Sequence, residues 1–321
     1  MPPGRSKKAA LSPVFAAVCA PVAIILIMAL ARASGGSFAV KGLPQDPSVF
    51  AFIFGGAPRG ESLAGRGSEE IAPLPAARLE KERRLNALYG VEFARCYDIG
   101  PAYSASPCGD AAAYSALLTL EGALAVYPEG FFDRMPICFF ICGEIRSREA
   151  GLPDRPSGVL LEREGVMLIA LDAGRGLKEH TVFHEICHAA DKLIASSPLA
   201  ESFRAGWEAL NPPGFAYYGA YTDAKGFPIS ETGDLSLTCE AGGDPAESYF
   251  INRYSKTFPE EDRAVLFETL MRSGAGTELF SGRHIIMKLS FYFAHIRAVL
   301  DPEGSWRGPV FWEERLAALS K

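Results

Sequence analysis

The chain has 321 residues, 48% hydrophobic and 22% charged, with a formal net charge of −6. That hydrophobic share excludes a disordered chain, and 32 glycines with 23 prolines exclude a collagen-like repeat. Residues 1–33 hold Arg5, Lys7, Lys8 and Arg32 and no acid, so the remainder carries 28 basic against 38 acidic groups, a formal −10. A body this acidic argues against nucleic-acid binding, which needs clustered Lys and Arg, and it would repel strongly acidic substrates.

The first predicted element is an export segment. Residues 9–31 run without a charge behind the basic Arg5, Lys7 and Lys8, and Ala31-Arg32-Ala33 presents small residues at the two positions a signal peptidase inspects. The run exceeds an h-region of about 7–15 residues and approaches the roughly 20 that span a bilayer. Residues 1–33 therefore read as a signal peptide or a retained membrane anchor, with the body outside the cytoplasm. Residues 34–75, rich in Gly, Pro and Ser, read as a tether. Residues 76–321 are the domain.

Within it, the runs ARLEKERRLNALYG from Ala77 and AAAYSALLTLEGALAVYP from Ala111 predict helices, the second broken at Pro128 and Gly130. Residues 135–142 (MPICFFIC) and 165–171 (GVMLIAL) predict strands of a small sheet, with Val166, Leu168 and Ala170 sharing a face. A helix is predicted over 178–195, loop over the Gly-, Pro- and Tyr-rich 211–247, and two further helices near 261–273 and 282–299. The class is α+β. Beyond Cys19, the six cysteines Cys96, Cys108, Cys138, Cys142, Cys187 and Cys239 allow up to three disulfides in an exported chain, and no CxxC offers a zinc ribbon or a thioredoxin motif.

The chemistry concentrates in His184-Glu185-Ile186-Cys187-His188. On a helix the two histidines stand four residues apart, about 40° around the axis, so both imidazoles reach one metal. Glu185 beside them can take a proton from a metal-activated water. The surrounding TVFHEICHAADKLI turns Val182, Phe183, Ile186, Cys187 and Leu193 to the buried faces. Cys187 reads as core or disulfide, His180 as a solvent or loop contact, His284 and His295 as structural. A catalytic zinc needs a third protein ligand and an open position for water. Asp191 and Ile194 stand where a metzincin has Gly and His, so the third ligand comes from a later helix. Glu247 and Glu261 are the candidates. Glu261 has the better case: it starts a helix after Pro259, with Asp262 placed to orient a ligand histidine from behind. No GxSxG, P-loop or dinucleotide fingerprint occurs.

The HExxH helix, WEALNPPGFAYYG from Trp207 and YFINRYSKTFPEEDRAVLFETLM from Tyr249 together resemble the bacterial exported zinc-binding metallopeptidases of the gluzincin type. The resemblance covers roughly residues 80–275 and is most specific in the HExxH and in Glu261-Asp262-Arg263-Ala264. Phe258 and Val265 depart from the pattern, where the family often has a small polar residue and Glu. The resemblance implies a zincin-like fold, with a small mixed sheet on the HExxH helix and a mainly helical C-terminal part. It further implies Glu261 as the zinc-ligating Glu, Zn²⁺ as cofactor and a peptide or protein substrate. In lethal-factor-type gluzincins a tyrosine sits ahead of the Glu ligand, which points to Tyr254 as the oxyanion donor, with Tyr217, Tyr218 and Tyr221 as competitors. The alternative function is a surface binding protein on the same fold without catalytic activity.

Overall fold

A computed structural model describes residues 76–94, 99–163, 165–240, 244–272, 277–280 and 282–319. The export segment, the tether and Cys96 lie outside the described residues. The architecture is mixed α+β, with a small sheet and several helices.

Helix α1 (Ala76–Tyr89) leads into strand β1 (Glu92–Phe93), followed by β2 (Tyr103–Ala105) and α2 (Asp110–Leu124). Ala113, Ala116, Leu117, Leu120 and Leu124 recur every three or four residues along α2 and are buried, so one stripe faces the sheet. Strands β3 (Ile137–Cys142), β4 (Ile145–Ser147), β5 (Gly158–Arg163) and β6 (Val166–Asp172) follow. Four strands form one sheet in the order β1-β3-β6-β5; β1, β3 and β6 run parallel, and β5 is an antiparallel edge. β2 and β4 pair separately as a small antiparallel ladder.

All six residues of β3 are buried, as expected for a central strand covered on both faces. Strand alternation splits them. Ile137, Phe139 and Ile141 join the main core with the helices, while Cys138, Phe140 and Cys142 join a second, smaller core under the β2–β4 ladder. The two predicted strands are present with slightly shifted ends. β5 was not predicted: GVLLER is a short edge whose residues alternate weakly, and it returns to β6 through Gly165, which takes φ +80° at no steric cost. β1, β2 and β4, of two or three residues, carry no periodic signal at all.

Helix α3 (Glu179–Ala195) then crosses the sheet, and α4 (Ala200–Ala209), the one-turn α5 (Ile229–Thr232), α6 (Pro259–Met271), α7 (Arg283–Leu300) and α8 (Phe311–Leu319) complete the fold. The described residues between 211 and 247 are mostly turns and irregular chain, as predicted. α3 buries Val182, Phe183, Ile186 and Cys187, with Leu193 half-buried. α8 is an unpredicted helix. Its Trp312 is fully buried against Tyr127, Phe131 and Phe267, so the C-terminus closes the core. Among the described residues no helix is long and apolar enough to cross a membrane. Cys108, Cys142, Cys187 and Cys239 are free thiols, so three disulfides are not formed.

One buried ion pair ties α6 to α7. Lys288 Nζ donates to Asp262 Oδ2 at 2.7 Å, with both side chains fully buried, and to the Tyr249 carbonyl at 3.0 Å. The ammonium also lies 4.0 Å from the Phe250 ring centroid. Burial pushes the Asp262 carboxyl up and the Lys288 amine down, and each partner restores only part of the other's charge preference. Lys288→Met strands a buried carboxylate and is expected to lower stability by about 3–5 kcal/mol in urea unfolding. The double variant Lys288→Met/Asp262→Leu should be more stable than Lys288→Met alone, because no uncompensated charge remains.

Candidate metal centre

The α3 helix turns His184 and His188 to the same side, one turn apart, with ring centroids 4.7 Å apart and planes at 85°. Across from them, α6 begins at Pro259, whose fixed φ and missing N–H suit a first helical position. Glu260, Glu261 and Asp262 fill its first turn, where the helix dipole favours carboxylates. Glu261 Oε2 lies 3.1 Å from His184 Nε2 and 3.5 Å from His188 Nε2. The three ligand atoms fall within 4.8 Å of one another. Ligands of a tetrahedral ion with bonds of about 2.0–2.2 Å stand roughly 3.3–3.6 Å apart; the 3.5 Å spacing falls in that range and the 3.1 Å spacing lies just under it, so a small outward shift of Glu261 would complete a zinc-type N,N,O set. Two imidazoles and a carboxylate are also the donors such an ion takes in an open, catalytic arrangement.

The charges around the site are sharply differentiated. Burial opposes the His184 cation, but hydrogen bonds and charge from Glu261 and Glu268 outweigh it and hold the imidazole well above its ordinary value. Burial likewise opposes the Glu261 anion, and the bonds from His184 and His188 outweigh that, holding this carboxyl well below the usual range. Glu185 is the opposite case. It is 5% exposed, and burial raises its carboxyl; Glu261 and Glu268 add to the rise while the two histidines pull it down. It lies in the same cleft, a space of about 450 Å³, opposite Gly158 at the start of β5. A Cβ on Gly158 would sit 2.8 Å from both Cγ and Oε1 of Glu185, so this glycine is what lets edge strand and helix approach.

Of the tyrosines, Tyr103, Tyr221 and Tyr254 line the cleft. Tyr221 Oη donates to Glu261 Oε1 at 2.7 Å and its ring stacks on Tyr254, centroids 6.0 Å apart. Tyr254 begins a 3-10 turn (Tyr254–Lys256) and its ring centroid is 6.3 Å from that of His184. Burial, with the charges of Glu261 and Glu185 and the neighbouring Tyr221, pushes the Tyr254 phenol well above its ordinary value, so it stays protonated and can donate. Tyr217 donates to Asp262 and receives the indole N–H of Trp207, a packing role. Tyr218 is 44% exposed and its hydroxyl accepts from the Asp234 amide.

Asp262 does not touch a ligand histidine, contrary to the expectation. One helical step turns it about 100° from Glu261, into the pairing with Lys288 and Tyr217. The carboxylate behind His184 is Glu268, with Oε2 3.2 Å from Nδ1. It follows Glu261 by seven residues, two turns along the same face, and that spacing was visible in the sequence. Such a partner fixes the ring orientation and leaves Nε2 to face the site. Glu247 is exposed in a short turn (Pro245–Glu247) and is not part of the cluster. Cys187 is buried with Sγ 2.9 Å from Tyr292 Oη, a core contact. His180 lines a separate cavity with Lys178 and Arg272, and His295 packs between Phe203 and Phe291.

No protein-family model matches the chain, and no curated protein does. Among solved structures it is similar to a crystal structure of a Bacteroides caccae ATCC 43185 protein provisionally assigned as a zinc-binding metallo-peptidase, at 16% identity and a TM-score of 0.35, over 78% of this chain and 94% of that one. A likeness that loose carries no argument, so the chemistry rests on the site itself.

Two substitutions probe the geometry. Glu268→Ala should weaken zinc binding about 10–100-fold, read by competition with a chromophoric chelator, whereas Glu247→Ala should leave it unchanged. Gly158→Ala should leave the affinity for added zinc within about twofold, because the new methyl meets Glu185 and Thr181 and none of the three candidate ligands.

Proposed function

We propose that the chain is a zinc-dependent peptidase of zincin-like, HExxH-plus-glutamate type, working outside the cytoplasm. The observation that supports it is the convergence of His184, His188 and Glu261 from two helices on one point, with a buried Glu185 beside it in an open cleft. Zn²⁺ held there by His184, His188 and Glu261 supplies Lewis acidity, which acidifies water and polarises a carbonyl oxygen.

The protein's own groups supply the rest. Glu185 accepts a proton at its carboxylate and returns it to the departing amine; burial raises its pKa toward the range in which both transfers are efficient. Tyr254, beside His184 and bonded like Tyr221 to Glu261, supplies the hydroxyl that would turn to donate to the oxyanion that forms from the carbonyl. Strand β5 offers a reason to favour a peptide. It is the sheet edge, with β6 as its partner among the described strands, and Gly158, Val159 and Leu160 form one wall of the cleft. An extended backbone can lie along such an edge and pair with it. Residues 1–33 deliver the chain across the membrane and residues 34–75 space the domain from it.

The test is a peptide-library digest. Glu185→Gln should keep its zinc and lose about 10²–10⁴-fold in kcat; a chelator should abolish cleavage and added zinc restore it. Glu261→Ala should lose metal by elemental analysis. A Glu185→Gln protein that cleaves as fast as the parent would sink the mechanism.

A further inference from the structure

The cleft continues past His188, where Asp191 and Arg263 form its floor and Lys192 and Ala195 its rim. The Arg263 side chain is 10% exposed, and its Nε donates to Asp191 Oδ2 at 2.6 Å. Asp191 is the guanidinium's hydrogen-bond partner, and the Arg263 side chain is part of the cleft lining. The group is also held over the rings of Phe203 and Trp207, 5.0 and 5.2 Å from their centroids. A guanidinium fixed at Nε and packed on aromatic faces has little freedom left. Its Nη donors form a rigid fork that matches the two oxygens of a carboxylate. Lys192 stands on the same rim, 45% exposed, paired at 3.2 Å with Glu162, itself 56% exposed. So open an ion pair is weakly held, and the ammonium can turn to the cleft. The remaining surface acid of the lining, Glu260, stands on the side of Tyr221.

We propose that Arg263 and Lys192 form a subsite for a carboxylate of the substrate, so that the preferred peptides carry an acidic side chain or their terminal carboxylate at that position. The proposal rests on the peptidase reading for the identity of the ligand. It also refines the effect of overall charge: the acidic body disfavours multiply charged polyanions, whereas two local cations select one carboxylate.

The experiment uses one peptide carrying Glu or Gln at each position in turn, each with a free or amidated C-terminus. At one position the parent protein should favour Glu over Gln, or the free terminus over the amide, by about tenfold or more in kcat/KM, mainly through KM. Arg263→Lys keeps a cation for Asp191 and should remove most of that preference. Lys192→Gln, a surface change, should reduce it about threefold with zinc content and Tm unchanged. Equal rates for every Glu–Gln and acid–amide pair would overturn the subsite, as would a preference that survives Arg263→Lys. The same peptides are titrated calorimetrically into the zinc-loaded Glu185→Gln protein, with and without Arg263→Lys. A tenfold tighter fit of the carboxylate form, lost with Arg263→Lys, supports the subsite even if no peptide is cleaved, an outcome that would defeat the peptidase reading alone; equal affinities overturn it.

Discussion

Three consecutive side chains at the start of α6 each carry a buried charge, and each must find a partner in a different direction. Glu261 faces the histidines of α3, Asp262 faces Lys288 of α7, and Arg263 reaches Asp191, just under one turn beyond His188 on α3. An unpaired ion at any of these depths costs several kcal/mol, so the three requirements together fix how far α6 is rotated and how deep it sits. The position of Glu261 is then set by its two neighbours as much as by its own contacts. Aromatic rings complete the clamp: Trp207 and Phe203 from α4 cover Arg263, and Trp207 with Phe250 covers Lys288.

The same scaffold separates two glutamates that would otherwise behave alike. Glu261 and Glu185 are both buried and stand in one cleft. Glu261 receives the histidines and the Tyr221 hydroxyl, all of which favour its anion. Glu185 gains less from the histidines than it loses to burial and to the neighbouring carboxylates. One residue type is thereby divided into a permanent anion suited to a cation and a basic carboxylate suited to carrying a proton.

Much of this was legible in the sequence, and what was not has identifiable causes. The HExxH spacing placed two imidazoles on one side of a helix because a four-residue step returns nearly to the same azimuth. Glu261, favoured over Glu247 by its place after a helix-starting proline, lies where the two histidines point. The role expected of Asp262 failed on the same helical geometry, which turns adjacent residues apart, and Glu268 was overlooked although it stands two turns along the correct face. The short strands were beyond reach, since two or three residues contain no period to detect. Arg263 and Asp191, 72 residues apart in sequence, meet only through tertiary packing, and nothing local in either segment announces that pairing.

The arrangement of α6 has a bearing on how such a chain can vary over evolutionary time. Inserting one residue between Glu261 and Asp262 would rotate everything beyond it by about 100° relative to Glu261, separating Glu261 from Glu268 and misdirecting Asp262 and Arg263 in a single event. No point substitution elsewhere could compensate. The turn at 223–227, by contrast, carries the exposed Phe227, and its backbone bonds, from Asp223 N–H to the Phe227 carbonyl and from Gly226 N–H to the Asp223 carbonyl, close on the turn itself, so no buried charge depends on its length. The stretch from 258 to 268 is thus held to a fixed length more strictly than to a fixed composition, and homologues too diverged to align by identity can be brought into register there.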